Sequence, residues 1–573
     1  MLISVKSSLE TTVSSGAADE SKESKSDIGN EIHLQPSILD TEQLQPQAQE
    51  IPLRYRLLAV SMILLFATGS SFAEAALSPL KATMIEELGI NNAQYGAISS
   101  ASSLVNSILP IIGGIGMDHW GATYAAILSS VFVLLGAVIS APAANTGNYE
   151  LLIAGRVIMG LGSTVIESTQ NKLYAHWFQG SWLACVFGVD IAWNRITGII
   201  AKVTAVPMSN INGWWGWSLW IPAILCASNL GWVMLYWWFE RSIPVQYRPP
   251  LGRDASKSEN WRQRRFGLKT LYRLPMFFWV FCGSQVLQNG AVNVYTSNLA
   301  DIQTRTRGTS KLAAGYNSSL SGIIPIVLTP LVGAFFDRWG WRMIIVSWTA
   351  ILYITVFILI GLTKVHPLCP ILISSFALSS GALPFLASIP ILVGDDALLG
   401  TAFGVWKAFQ NTNSVLLEVA AGAIQDRSQD NSYNNVIYLI VAIKCLEVIL
   451  GPVYDVLDGR WLGHSLRMPE KKRIRFRTDI KAQGDPLIGW RSDRTAFTIV
   501  IAELSVAIVA AWVVSPNHES VRHASDILPG LHRVFHATIA VFQYSRIISG
   551  NQHADRGEEG SIRDQDVLFL ELC

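Results

Sequence analysis

Apolar residues run along this chain in blocks of twenty or more, divided by short polar or glycine-rich turns, which is the pattern of bilayer-spanning helices. Twelve such blocks predict twelve spans: span 1 at Tyr55–Ser78, 2 at Gln94–Met117, 3 at Ala122–Ala143, 4 at Tyr149–Ala175, 5 at Trp182–Val206 and 6 at Trp217–Phe239, then 7 at Leu274–Leu299, 8 at Ala313–Phe336, 9 at Trp341–Thr363, 10 at Leu368–Val393, 11 at Leu399–Ala423 and 12 at Asn434–Tyr454. Between spans 6 and 7 lies the longest internal polar stretch, Glu240–Arg273, with eight arginines and lysines from Arg248 to Arg273. The expected organisation is all-α and membrane-integral: a disordered polar tail at 1–50, an N-terminal six-helix bundle at 51–240, a basic linker at 241–273, a C-terminal six-helix bundle at 274–456 and a tail at 457–573. A further block, 496–514, is long enough to cross but holds Glu503 near its middle, so it reads either as a thirteenth span or as an interfacial segment.

Composition sharpens this. Half of the 573 residues are apolar and 15% are charged, where soluble proteins carry about 25%. The charges crowd into the tails and the linker, which excludes a soluble enzyme or a nucleic-acid binder, and a net charge of +1 points to no acidic partner. Retained Lys and Arg mark the cytoplasmic side of a multi-pass protein. Arg54 and Arg56 before span 1, the linker, and the run Lys471, Lys472, Arg473, Arg475 and Arg477 after span 12 all fall on one side, as an even number of spans requires. The first fifty residues lack an apolar signal region, so span 1 is expected to direct insertion. The six cysteines show neither CxxC nor metal spacing and read as packing residues, so no metal and no cofactor is expected. Neither a phosphate-binding GxxxxGK loop nor HExxH or GxSxG occurs, which argues against ATP as the direct energy source and against an enzyme.

The turn after span 2 reads GGIGMDHWG from Gly113 to Gly121, and the turn after span 8 reads GAFFDRWGWR from Gly333 to Arg342. Both are G-x-x-x-D followed by Trp-Gly at equivalent places in the two halves, and a looser copy, GAIQDR from Gly422, closes span 11; internal duplication accounts for them. Gly114 and Gly333 let helices approach closely, while Asp118 or Asp337 can face the positive N-terminus of a helix from the opposing half and so latch the cytoplasmic side. Here the chain resembles the major facilitator superfamily, whose members carry G-x-x-x-D-R-x-G-R-R after the second helix. The first copy departs at His119 and Ala122, while the second keeps Arg338 and Arg342. GRVIMGLG in span 4, from Gly155 to Gly162, is similar to the family's R-x-x-x-G-x-G pattern. The stretches STQNKLYAHWFQG, VFGVDIAWNRITG and LLGTAFGVWKAFQNTNSVLLEVAAGAIQDR narrow the resemblance, over roughly Leu53–Asp458, to the lysosomal dipeptide transporter branch. That branch carries a glutamate at the place of Thr164; here the nearest acid is Glu167, one turn away on the same face.

A charge at mid-bilayer costs about 3 kcal/mol even on the lenient insertion scale, so the charges within spans are the first candidates for a site. Among them are Glu74 in span 1, Arg156 and Glu167 in span 4, Asp190 and Arg195 in span 5, Lys407 and Glu418 in span 11, and Lys444 and Glu447 in span 12. Glu167 and Arg195 fall within roughly 10 Å in depth, close enough to meet or to share a ligand, with Asp190 as an alternative partner of the guanidinium. A zwitterion needs an acid for its ammonium and an arginine fork for its carboxylate; the resemblance independently assigns carboxylate binding to Arg195. A structural salt bridge between spans 4 and 5 is the other reading. Gln285, Asn289 and Asn293 form a polar strip on span 7, suited to a peptide bond or to interhelical hydrogen bonds. Lys407, near the start of span 11, is expected to snorkel, and Lys444 with Glu447 to pair. Arg156, Asp190 and Glu418 read as coupling or structural groups, and Arg156, near the outer end of its span, as a headgroup contact.

The resemblance implies a major facilitator fold of two six-helix bundles that rock about a midplane site, and a secondary-active or facilitative transporter of dipeptides or similar small zwitterions. It implies a lysosomal or vacuolar membrane, with the plasma membrane as the alternative. Beside a small-molecule substrate and the lipid bilayer, it implies an accessory membrane glycoprotein as partner; no nucleic acid is expected. Two other readings stand: a proton-coupled organic anion transporter of monocarboxylate type, and a non-transporting membrane receptor or partner subunit that keeps the fold.

Overall fold

The computed structural model describes residues 51–249 and 268–483, apart from 91–93, 96–97, 99–105, 179–181, 364, 427 and 429–432, together with 497–498, 500–502 and 504–505. Helices occupy each of the twelve expected places, and among the described residues no β-strand occurs. Span 1 is Leu53–Ile63 and Thr68–Ala75 joined by a tight turn, span 2 Leu109–Trp120, span 3 Ala122–Ser140, span 4 Tyr149–Trp177, span 5 Leu183–Ser209 and span 6 Trp217–Ser242. Span 8 is Lys311–Leu320 with Ile323–Trp339, span 9 Arg342–Leu362, span 10 Leu368–Gly381 with Leu383–Val393, span 11 Leu399–Asp426 and span 12 Asn434–Trp461. A further helix, Glu470–Gln483, follows span 12 and is called the C-terminal helix below.

Among the described residues nine helices are long and apolar enough to cross a membrane. Span 2 falls short because 99–105 in its first half lie outside the described residues. Span 7, expected to be continuous, is broken at Ser284 and Asn289 into Met276–Gly283, Gln285–Gln288 and Gly290–Arg307, so its polar strip does not lie along one straight helix. Span 11 is one 28-residue helix, but Lys407, Gln410, Asn411, Asn413 and Glu418 lower its hydropathy. Glu503 and the larger part of 496–514 lie outside the described residues; Phe497, at its start, packs on Tyr272 and Trp279, with ring centroids 4.2 and 5.1 Å apart.

Local chemistry sets where the helices begin. Asn148 starts span 4, its Oδ1 accepting the amides of Glu150 at 2.9 Å and Leu151 at 3.3 Å. The Trp-Gly of both repeats is a turn that needs positive φ, 101° at Gly121 and 79° at Gly340. At Gly340 a Cβ would also lie 2.2 Å from the Arg467 carbonyl oxygen.

The helices sort into two bundles. Span 3 packs on spans 4 and 6, and span 1 on spans 5 and 6; in the second half span 9 packs on 10 and 12, and span 7 on 11. Between the halves, span 2 crosses span 11 and span 5 crosses span 8. The apolar core is distributed unevenly. On the face that carries Arg54, Arg56 and the basic run from Lys471, called the basic face below, a single core joins both halves, from Phe66 and Trp177 through Phe187 to Phe336 and Phe403. Toward the opposite face the core divides in two, one part around Phe72, Ile153 and Leu219 and the other around Tyr295, Phe357 and Ile437. A cleft that is closed at the basic face follows from this distribution.

Candidate functional site

The basic face is held shut by two related contacts. Asp118, at the end of span 2, receives the Gly400 amide at 2.9 Å and both the amide and hydroxyl of Thr401 at 2.6 Å, all from the start of span 11. Asp337, at the end of span 8, receives the amides of Ala184 at 3.1 Å and Cys185 at 2.9 Å, from the start of span 5. In each case a carboxylate meets the positive end of a long helix from the other half, satisfying amides that have no partner within their own helix. The crossings are tight because glycine permits them: a Cβ on Gly114 would lie 2.4 Å from the Gly400 carbonyl oxygen, and one on Gly333 would lie 2.3 Å from that of Ala184.

Lys172 and Glu470, not singled out from sequence, complete this seam together with Arg342, which the second repeat had pointed to. Lys172 of span 4 stands 2.6 Å from Asp118. Glu470, the first residue of the C-terminal helix, accepts the Trp182 amide at 2.8 Å, so span 5 is capped twice. Arg342 is buried and donates to the carbonyls of Leu466 at 3.2 Å and Phe336 at 3.4 Å, anchoring the segment that leads into the C-terminal helix. Arg338 is exposed and lies over the Trp339 ring, 5.2 Å from its centroid, outside the latch itself.

Deeper in the cleft the charges pair differently from the sequence expectation. Glu167 of span 4 meets Lys407 of span 11 at 2.5 Å, across the two halves, with their side chains 33% and 25% exposed. Lys407 therefore does not snorkel to the surface; span 4 crosses span 11 at that level and supplies a carboxylate. Asp190 is buried and accepts the Tyr174 hydroxyl at 2.9 Å, so it is not the partner of Arg195. Arg195 itself is half-buried and has neither an ion pair nor a hydrogen bond among the described residues; its electrostatic neighbours include Tyr353 and Lys202. Glu74 is exposed and likewise unpaired among the described residues, with Glu167, Arg156 and Lys407 as its charged neighbours.

The seam between spans 1 and 5 runs beside these two free groups. Ser71 donates to Asn194 at 3.2 Å, and a Cβ on Gly198 would lie 3.9 Å from that of Ala75. Glu74 and Arg195 thus flank one seam without neutralising each other. Arg156 is buried and donates to the Ala73 carbonyl at 3.3 Å, bracing the backbone next to Glu74 instead of reaching a headgroup. Thr164 donates to Asn106 of the span 2 region at 3.2 Å.

The other half offers amides. Gln285 is buried with its side-chain nitrogen unpartnered among the described residues, Asn289 is half-buried beside the second break of span 7, and Asn293 donates to Ser414 of span 11 at 2.5 Å. Lys444 and Glu447 pair at 2.5 Å, and the Lys444 ammonium also donates to the Gln288 carbonyl at 2.8 Å, where span 7 is interrupted. Glu418 is exposed and accepts from Ser297 at 3.1 Å. Among the described residues no group of His, Cys, Asp or Glu has the spacing of a metal site.

Comparison with known proteins bears on this arrangement. The family profile described as Major Facilitator Superfamily matches residues 63–417. The bovine Lysosomal dipeptide transporter MFSD1 (Bos taurus) is 22% identical over 446 residues, covering 75% of this chain and 92% of its own length. The human protein of the same name (Homo sapiens) is 23% identical over 439 residues, covering 74% and 91%. Among solved structures, the human organic anion transporter MFSD10 (TETRAN) superposes with a TM-score of 0.55 at 16% identity, covering 70% of this chain and all of the other.

Proposed function

Because the chain belongs to the major facilitator superfamily and is a multi-pass membrane transporter rather than an enzyme, we propose that its cleft carries dipeptides or similar small zwitterions by alternating access. The observation that carries this reading is the pair of free, opposite charges beside the seam of spans 1 and 5. Arg195 offers its guanidinium fork to a carboxylate, and Glu74 offers an acceptor to an ammonium. The acid of the pair is therefore Glu74; Glu167 is engaged by Lys407 and closes the cleft behind it. Thr164, Gln285, Asn289 and Asn293 line the two sides as amide and hydroxyl partners for a peptide bond. Segments 51–240 and 274–456 act as the rocking units, with Gly114, Asp118, Gly333 and Asp337 at the gate and Arg342 buttressing it. Arg338 has no part in the latch. The name shared by the bovine and human relatives supports both the substrate class and a lysosomal or vacuolar membrane.

A second reading, transport of a simple organic anion, is favoured by one observation: Lys202 is a charged neighbour of Arg195 on span 5 and adds a second positive charge there. Uptake into proteoliposomes separates the two. A free dipeptide should be taken up, while its N-acetylated and C-amidated forms should each lose most of that uptake. Arg195→Ala should lower dipeptide uptake about 10- to 100-fold, as loss of a charge-assisted fork does. Uptake of a monocarboxylate without any dipeptide flux would establish the second reading instead. An accessory glycoprotein remains a proposal, tested by whether uptake by the purified chain needs an added membrane partner.

A further inference from the structure

Span 5 carries a second cation that the dipeptide reading leaves unused. Lys202 is exposed, stands about 10 Å further along the helix than Arg195, and has neither an ion pair nor a hydrogen bond among the described residues. A charge within a span is costly unless it meets water or a partner, and Arg195 is a charged neighbour of the same sign. The contacts of span 5 show where both side chains point. Asn194 accepts the Ser71 hydroxyl at 3.2 Å and Gly198 faces Ala75, so that side of the helix lies on span 1. A Cβ on Gly188 would lie 2.7 Å from the Thr329 carbonyl oxygen, and one on Gly322 would lie 3.6 Å from Cδ1 of Ile199, so another side lies on span 8 of the other half. At about 100° per residue, Arg195 and Lys202 fall between those two sides, into the gap between the halves rather than toward lipid.

The register of spans 1 and 5 adds the third charge. With Ser71 against Asn194 and Ala75 against Gly198, Glu74 lies level with Thr197, roughly 3 Å beyond Arg195 and roughly 8 Å short of Lys202 in depth. The order along the seam is therefore positive, negative, positive. A dipeptide whose first residue is acidic presents the complementary order: its C-terminal carboxylate, its ammonium, then the side-chain carboxylate of the first residue. Successive Cα atoms are about 3.8 Å apart, so all three groups lie within reach of side chains as long as Arg, Glu and Lys. An acidic second residue instead puts both carboxylates at one end of the molecule and leaves Lys202 unused. We propose that Lys202 is a specificity-determining residue that holds the side-chain carboxylate of the first residue, so that the cleft favours dipeptides beginning with Asp or Glu. This preference rests on the dipeptide reading, with Arg195 and Glu74 in the roles given to them there.

Proteoliposome uptake of Glu-Ala, Ala-Glu and Ala-Ala by the full chain tests it, because Glu-Ala and Ala-Glu share composition and charge and differ only in the order of their groups. A charge-assisted contact at Lys202 should raise kcat/KM for Glu-Ala about tenfold over Ala-Ala, and Ala-Glu should gain less than about threefold. Lys202→Gln should bring the ratio of Glu-Ala to Ala-Ala down to about one, and Lys202→Glu should turn the preference toward Lys-Ala. The wild-type ratios remain a test even where a variant does not fold. Equal kcat/KM for Glu-Ala and Ala-Ala, Ala-Glu carried as well as Glu-Ala, or a ratio unchanged in Lys202→Gln would overturn the proposal, while the dipeptide reading would still stand on the loss of uptake in Arg195→Ala. Uptake of an aliphatic dicarboxylate without any dipeptide flux would overturn both.

Discussion

At Lys407 a charge that depth counting sends toward the membrane surface is turned inward by its partner. The residue lies eight positions into span 11, roughly 12 Å of rise, and only the crossing of span 4 over span 11 brings Glu167 to it. Glu167→Gln leaves the ammonium a quarter exposed and unpaired. Breaking a fully buried pair costs about 3–5 kcal/mol; with cleft water close by, a loss of about 1–2 kcal/mol is expected. Thermal unfolding of the purified protein checks it, and the charge-reversed pair Glu167→Lys with Lys407→Glu should recover most of the loss. Arg195→Lys keeps the charge but not the fork, so dipeptide uptake should fall nearly as far as in Arg195→Ala; unimpaired uptake would remove the bidentate contact from the account. The sequence made Arg195 and Glu74 legible because a charge inside a span needs a reason. It could not make the pairing legible, because who meets whom depends on how helices far apart in the chain cross.

The duplicated turns were readable at the level of elements for a related reason. Glycine, aspartate and Trp-Gly at matching places encode a close crossing, a helix-end partner and a positive φ, all of which are local requirements. Gly340→Ala would combine a φ of 79° with a Cβ 2.2 Å from the Arg467 carbonyl oxygen, and should cost more than about 2 kcal/mol. Gly89→Ala, where φ is +62° but the space is open, should cost about 1 kcal/mol. Comparing the two thermal midpoints isolates the close approach from the backbone strain. The C-terminal helix was not legible: its run EKKRIRFR reads as a solvated basic face, and nothing local says that Glu470 reaches span 5. The breaks in span 7 were hidden as well, since Gln285, Asn289 and Asn293 also fit the polar face of one continuous helix.

Glu470 also gives the closed face a pH dependence. Burial first, and then the neighbouring Asp337 carboxylate, push its carboxyl up from 4.5 to about 7, against the opposing pull of Arg473 and Arg342 and of the Trp182 amide. An acid raised in this way favours the closed arrangement when protonated. Its contribution is therefore fully present below about 4.5 and is lost as pH rises through about 7. Cys185 alkylation from the basic face, corrected for the thiolate fraction at each pH, should accelerate over that window, and Glu470→Gln should flatten the corrected profile. An unchanged profile would remove Glu470 from the latch.

At the scale of the whole molecule, the two aspartate latches set the balance between closed and open basic faces. Asp118→Asn or Asp337→Asn weakens charge-assisted contacts to helix starts and should shift that balance by about 1–3 kcal/mol, or 5- to 150-fold in population. The measurement is again Cys185 reactivity, and the two variants should act in the same direction. Lys172 remains beside Asp118 from the same half, so opening does not strand that carboxylate without a partner.

The uneven apolar core has a thermal consequence. Closing the outer cleft before the basic face opens would join the two outer cores while the inner one is still whole. The intermediate with both faces shut would then bury more apolar surface than either open state, and apolar burial lowers heat capacity. A transport cycle limited by reaching that intermediate would have a negative activation heat capacity. Its exchange rate plotted against reciprocal temperature should curve downward at the warm end, as refolding rates do, rather than follow a straight line.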